Sequence, residues 1–226
     1  FCYLAINRHL NNLTPQQIAK LLMLVQTSGI LEELSIRRGV ITPSHEMLPG
    51  WPIPQFTSDE NPPLPAHLIL TYQPPMELES VAEQLKTVLA THGCTLEIRA
   101  SRNKQWKDTH QIEEADLLLA DHLVGESPEA AMESWLQLDP LWRGILSPEQ
   151  LEQQQETLIQ IQQTELAAER FRQLREYYND LMLTGLILPL FNYQYQVNAP
   201  PRIKGVTLTA YGWFDFNQAW LPPATN

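Results

Sequence analysis

Between residues 67 and 99 the pattern of apolar residues changes its period twice. HLILTY, at 67–72, reads as a strand. Over 76–92 the residues Leu78, Val81, Ala82, Leu85, Val88 and Leu89 fall on one helical face, and Gly93 ends the helix. Cys94, Leu96 and Ile98 then alternate along a second strand over 94–99. Strand, helix and strand within about thirty residues form a βαβ unit, which demands parallel strands and a right-handed crossover.

The flanking segments extend an α/β architecture. Residues 1–7 read as a mostly buried strand, followed by Thr14 and Pro15, a hydroxyl cap and a proline at the first helical position. Ile18, Leu21, Leu22 and Val25 recur at helical spacing, and residues 30–37 read as a second short helix. Seven prolines fall within 42–65, predicting a long loop that wraps a surface or marks a lobe boundary. ADLLLA, at 115–120, suits a strand buried on both faces. Ser127 with Pro128, and Ser147 with Pro148, start two more helices. The second holds seven Gln between 150 and 163 yet keeps an apolar stripe of Leu151, Leu158 and Ile161, so its glutamines read as a solvated face. A long helix over 165–183 ends at Gly185. A strand interrupted by Pro189 covers 186–197, and a last strand covers 206–210, with Asp215 capping a terminal turn.

Composition narrows the function. The 226 residues carry 15 Lys and Arg against 26 Asp and Glu, a net charge of −11. This balance argues against nucleic-acid binding by the segment itself, because phosphate contacts need clustered cations. No apolar run reaches the roughly 18 residues of a membrane span. Cys2 and Cys94 make neither a disulfide framework nor a zinc site and are expected to stay free thiols. The six histidines show no HxxxH or HExxH spacing, and GxSxG, P-loop and GxGxxG motifs are all missing. No catalytic group, metal site or cofactor is therefore expected. The acidic pairs Glu113 with Glu114 and Asp116 with Asp121 are compatible with acid chemistry but read as solvated or capping carboxylates. His122, at the end of a buried strand, is open to a structural or a ligand-binding reading, since open α/β sheets bind ligands beyond the carboxyl ends of their strands. The aromatic residues Phe191, Tyr193, Tyr195, Tyr211, Trp213, Phe214, Phe216 and Trp220 suit core packing or a stacking pocket.

The order of these pieces resembles the C-terminal part of the family 5 extracellular solute-binding proteins, which bind dipeptides and oligopeptides. The carriers are YLAIN at the start, AAERFRQLREYYNDLMLTGLILPL in the long helix and the strand after it, and IKGVTLTAYGWFDFNQAWL at the end. The peptide binders follow the buried strand with a motif of the form D-x-x-x-x-G-W-x-A-D-Y-x-D-P, whose acidic residue receives the peptide amine. Here His122 stands in the place of the Trp and Gly125 in the place of that acidic residue, with Glu126 as its nearest substitute. These departures resemble cytosolic transcription regulators of the SgrR type, in which a winged-helix DNA-binding domain is fused to a solute-binding-like domain.

The resemblance implies a type II periplasmic-binding-protein-like fold: a C-terminal lobe with a mixed sheet and interlobe crossing segments. Residues 1–226 would be a fragment of the effector domain, an expectation in keeping with a start at Phe1. Residues 66–185 would be the main lobe, and 1–65 with 186–226 would hold the crossing strands, the proline-rich loop and the C-terminal part. It implies a cytoplasmic sensor of a small polar metabolite such as a sugar phosphate, with DNA contacted only through a missing N-terminal domain and no membrane partner. The alternative is the substrate-binding component of a peptide transporter. A cleft built on crossing strands would draw its ligand-binding residues from Asn7, Arg8, His122, Tyr193, Tyr195 and Trp213, with Arg8 facing an anionic group.

Overall fold

The computed structural model describes residues 1–30, 41–43, 45–58, 61–73, 76–101, 109–124, 127–193, 200, 202–208, 214–215, 217 and 219–222; at 41–43, 76–77, 109, 193, 208 and 214 the description is of the backbone. The short helix read at 30–37 lies outside these residues beyond Ile30.

A six-stranded mixed sheet organises the molecule. Its strands are β1 (Cys2–Ile6), β2 (Ile41–Pro43), β3 (His67–Tyr72), β4 (Thr95–Ala100), β5 (Leu117–Asp121) and β6 (Ile187–Tyr193), in the spatial order β2-β6-β1-β5-β3-β4. The βαβ unit is present: β3 and β4 pair in parallel from His67 with Thr95 to Tyr72 with Ala100, and β5 adds in parallel on the other side of β3. β1 lies antiparallel between β5 and β6, with Cys2 opposite Asp121 and Phe191. The segments 1–7 and 186–197, which the resemblance casts as interlobe crossing segments, therefore lie side by side over β1 and β6. Every residue of β1 is buried, which fits a strand covered on both faces and paired along both edges.

Two helices carry the caps expected of them. In α1 (Pro15–Thr27), Thr14 and Gln17 form a reciprocal capping box behind a first-turn proline. Ser147 and Gln150 do the same at α6 (Pro148–Gln162). The helix α2 (Met76–Thr91) buries Leu78, Val81, Ala82, Leu85 and Leu89 against the sheet. Gly93 takes a left-handed φ of 76°, so that the Cys94 N–H reaches back to the Leu89 carbonyl at 3.0 Å. Ser127, read as the cap of α4 (Pro128–Leu138), makes no side-chain capping bond.

Two short helices were not read from the sequence: α3 (Thr109–Glu113) and α5 (Pro140–Ile145), although Asp139 caps the second ahead of Pro140. Both are too short for an amphipathic period. They pack together so closely that a Cβ on Gly144 would lie 2.2 Å from Ile112 Cγ2. The long helix α7 (Ala167–Leu183) buries Leu174, Tyr178, Leu181 and Met182 and closes at Gly185.

The proline-rich stretch begins inside β2 rather than as free loop, and its later part is anchored. Met47, Trp51, Ile53 and Leu64 join the core. Side chains of α1 hold its carbonyls: Gln17 donates to Pro63, Lys20 to Pro62 and Gln26 to Pro54, each at 2.7–2.8 Å. Prolines cannot donate, so their carbonyls need outside donors, and α1 supplies them. A small antiparallel pair, β7 (Thr207–Leu208) with β8 (Phe214–Asp215), ends the chain, and Asp215 accepts a bond from the Asn217 N–H. Cys2 and Cys94 are free and buried.

Candidate functional site

The direction of β1 sorts the expected site residues into two groups. β1 runs against β5, so Asn7 and Arg8, beyond its carboxyl end, lie at the amino end of β5. His122 follows the carboxyl end of β5. The five residues of β1 at about 3.3 Å each put roughly 17 Å between the two groups. Asn7 and Arg8 are therefore not brought together with His122. Tyr193, at the end of β6, falls on the His122 side, because β6 also runs against β1. Tyr195 and Trp213 lie outside the described residues. Asp116 and Asp121 are separated in the same way, at opposite ends of β5.

Asn7 is a structural hub. Its amide donates to the carbonyls of Ile112 at 3.0 Å and Ala115 at 2.9 Å, and its Oδ1 accepts from the His9 N–H at 2.9 Å. Asp116 has the same character: its carboxylate accepts from Asn12 Nδ2 at 2.7 Å and the Ile69 N–H at 2.8 Å. Both groups tie β1 and β3 to the start of β5. Arg8 donates to the Thr184 carbonyl, closing the carboxyl end of α7. Of the other acidic pair, Glu114 meets Arg99 at 3.3 Å and Glu113 meets His110 at 3.6 Å, at the surface.

The carboxyl ends of the parallel strands β3, β4 and β5 gather a different set of polar groups. Gln73 and Ser101 are buried just past β3 and β4. Their N–H groups bond to the carbonyls of Leu119 and Tyr72, so both residues are fixed to the strand ends. No described residue bonds the Gln73 carboxamide. Asp121 is exposed beside them. His122 stacks on Trp135 at 4.7 Å with an interplanar angle of 18°, and the Phe1 ring stands 5.9 Å away. Its Nε2 is buried without a hydrogen-bond partner among the described residues. Burial is the main cause that lowers its pKa to about 4, so the ring is neutral at pH 7. The sequence reading overlooked Gln73 and Ser101. Their signal was a polar residue directly after an apolar strand, in TYQ and RAS. Trp135, the platform for His122, reads from sequence only as a core position.

Neutral amide and imidazole groups beside an aromatic face, with one carboxylate, suit recognition of a polar ligand by hydrogen bonds and stacking. Among the described residues no cluster of three or more His, Cys, Asp or Glu could hold a metal ion, and no helix is long and apolar enough to cross a membrane.

Solved structures place this architecture. The chain superposes on NikA from Brucella suis, in complex with Fe(III)-EDTA, with a TM-score of 0.72 at 12% identity, covering 97% of this chain and 50% of that one. It superposes on the ABC transporter substrate-binding protein CtaP of Listeria monocytogenes with a TM-score of 0.67 at 15% identity, again over 97% and 50%. The fold is that of the periplasmic solute-binding proteins. In sequence, the chain is 40% identical over 222 residues to the uncharacterized protein YbaE of Escherichia coli K12, covering 98% of this chain and 39% of that protein. It is 27% identical over 184 residues to the HTH-type transcriptional regulator SgrR of Yersinia pestis, covering 80% of this chain and 31% of the regulator. The chain thus spans about a third to two fifths of these curated relatives. No family model matches it.

Proposed function

We propose that this chain is the ligand-sensing part of a cytoplasmic bacterial transcription regulator and performs no chemistry of its own. The ligand is a small polar metabolite seated at the carboxyl ends of β3, β4 and β5, and DNA is contacted by another part of the longer protein. The observation that carries this reading is the neutral His122, stacked on Trp135 with its buried Nε2 unpaired among the described residues, at the same end of the sheet as the Gln73 carboxamide, which no described residue bonds. Such groups match the hydroxyls and ring face of a sugar. The likeness to SgrR adds the regulatory context.

The test is a thermal-shift and calorimetric screen of the full-length protein against glucose, glucose 6-phosphate and a tripeptide, joined to a gel-shift assay with its own promoter DNA. A ligand present at 100 times its Kd adds about 2.7 kcal/mol of stability if it binds only the folded state. Sugar or sugar-phosphate binding, weakened at least tenfold by His122→Ala or Gln73→Ala and coupled to a change in DNA retention, supports the proposal. Tripeptide binding by a protein that retains no DNA favours the transporter alternative, for which the likeness to CtaP speaks.

A further inference from the structure

At the opposite end of the sheet, a cavity of about 530 Å³ opens between α6 and α7 and is closed at one side by the turn after β1. Its polar lining includes Arg8, Gln150, Gln153, Gln154, Thr157 and Asp180. Leu146, Leu181 and Leu186 supply apolar wall between them. This is the face onto which α6 turns part of the glutamine run that the sequence showed as a solvated surface.

Two of these groups carry opposite charges. The Arg8 guanidinium is partly buried, and among the described residues no carboxylate pairs with it; its bond is to the Thr184 carbonyl. A desolvated cation without an anion is costly, and an arginine presents several further N–H donors in a planar fork suited to a carboxylate. Asp180 lies one helical turn before Thr184, exposed at the mouth, and the carboxyl end of α7 adds the negative end of the helix dipole. A phosphate dianion would meet this second, negative pole. A molecule with both charges, set a few ångströms apart, satisfies both.

We propose that the cavity between α6 and α7 is a second ligand site, for a small zwitterion of the amino-acid type, with the carboxylate on Arg8 and the ammonium toward Asp180. Tyr177, which donates to Gln154 Oε1 at 3.2 Å, and Gln154, which donates to the Leu136 carbonyl at 3.0 Å, hold the floor rigid. Gln150, Gln153 and Thr157 then border the ligand side chain, with the Thr157 hydroxyl donating to the Gln153 carbonyl at 2.9 Å. Because this site stands roughly a strand's length from His122, it is independent of the metabolite site proposed above.

Calorimetry of the full-length protein with L-glutamine, N-acetyl-L-glutamine and L-glutaminamide tests the idea. The free amino acid should bind, and removal of either charge from it should weaken binding at least tenfold. Asp180→Asn should reproduce that loss, as should Thr157→Trp, which fills the cavity from the half-exposed face of α6. Arg8→Lys should retain part of the affinity and Arg8→Met none. His122→Ala should leave this binding unchanged while weakening the other site. The proposal is overturned if L-glutamine and the other free amino acids give no heat, or if Thr157→Trp binds like wild type. Inorganic phosphate binding as tightly as the amino acid, or loss of amino-acid binding in His122→Ala, would overturn it equally.

Discussion

Lowering the pH from 7.5 to 4.5 should cost the protein stability through one imidazole. In the unfolded chain His122 takes a proton near pH 6.5; in the fold, buried on Trp135, it resists protonation until about pH 4. Between those values the unfolded state binds the extra proton, so stability is full above pH 6.5, falls as the pH drops and levels off below pH 4. The interval from 6.5 to about 4, at roughly 1.4 kcal/mol per pH unit, amounts to about 3 kcal/mol. His122→Phe keeps a ring on Trp135 and removes the titration. Urea unfolding followed by circular dichroism at several pH values, for wild type and His122→Phe, isolates the contribution because the other titrating groups are common to both. The wild type should lose about 3 kcal/mol more than the variant across this window. Parallel curves, or a wild type that gains on the variant as the pH falls, would refute the burial argument and with it the neutral imidazole of the site.

Asn7→Ala should destabilise by about 2–3 kcal/mol in urea unfolding, because the buried Ala115 carbonyl loses its partner while the Ile112 carbonyl and the His9 N–H each keep one backbone bond; unchanged stability would return Asn7 to the ligand-binding candidates. Gly144→Ala gains about 1 kcal/mol of helix propensity but drives a methyl group to 2.2 Å from Ile112 Cγ2. At an overpacking cost of about 3 kcal/mol the net loss is about 2 kcal/mol, or a Tm lower by roughly 4–8 °C, readable by calorimetry. Cys2 and Cys94 should ignore a thiol reagent in the native protein, since burial pushes both thiols up, and should titrate as two thiols in urea without reductant.

Much of this fold is written locally. The change from strand to helix period around Leu78–Leu89, the Thr14 and Ser147 capping boxes and the glycine at 93 each act within a turn or two of chain, so a reader of sequence can find them. The adjacency of β1 and β6 followed from the family resemblance and holds. Strand direction is not local. Nothing in CYLAI says that it runs against β5, and this alone separates Arg8 from His122. Nor does the sequence show that Asn7 spends its amide on carbonyls of α3 and the turn before β5, because those partners belong to a helix too short to announce itself. Gln73 and Ser101 were legible in principle, as polar residues ending apolar strands; they were hidden because charged and aromatic residues draw attention first.

The position of β1 also governs how the chain reaches its native state. CYLAI emerges first in this segment, yet its two neighbours are Leu117–Asp121 and Ile187–Tyr193. During synthesis the βαβ unit can form from adjacent sequence, while the central slot of the sheet stays open until β6 has been made. Until β5 is made both edges of this apolar strand are unpaired, and until β6 is made one edge stays available to any other chain. Closure over such long loops makes folding slow, and the waiting strand is the segment most in need of a chaperone.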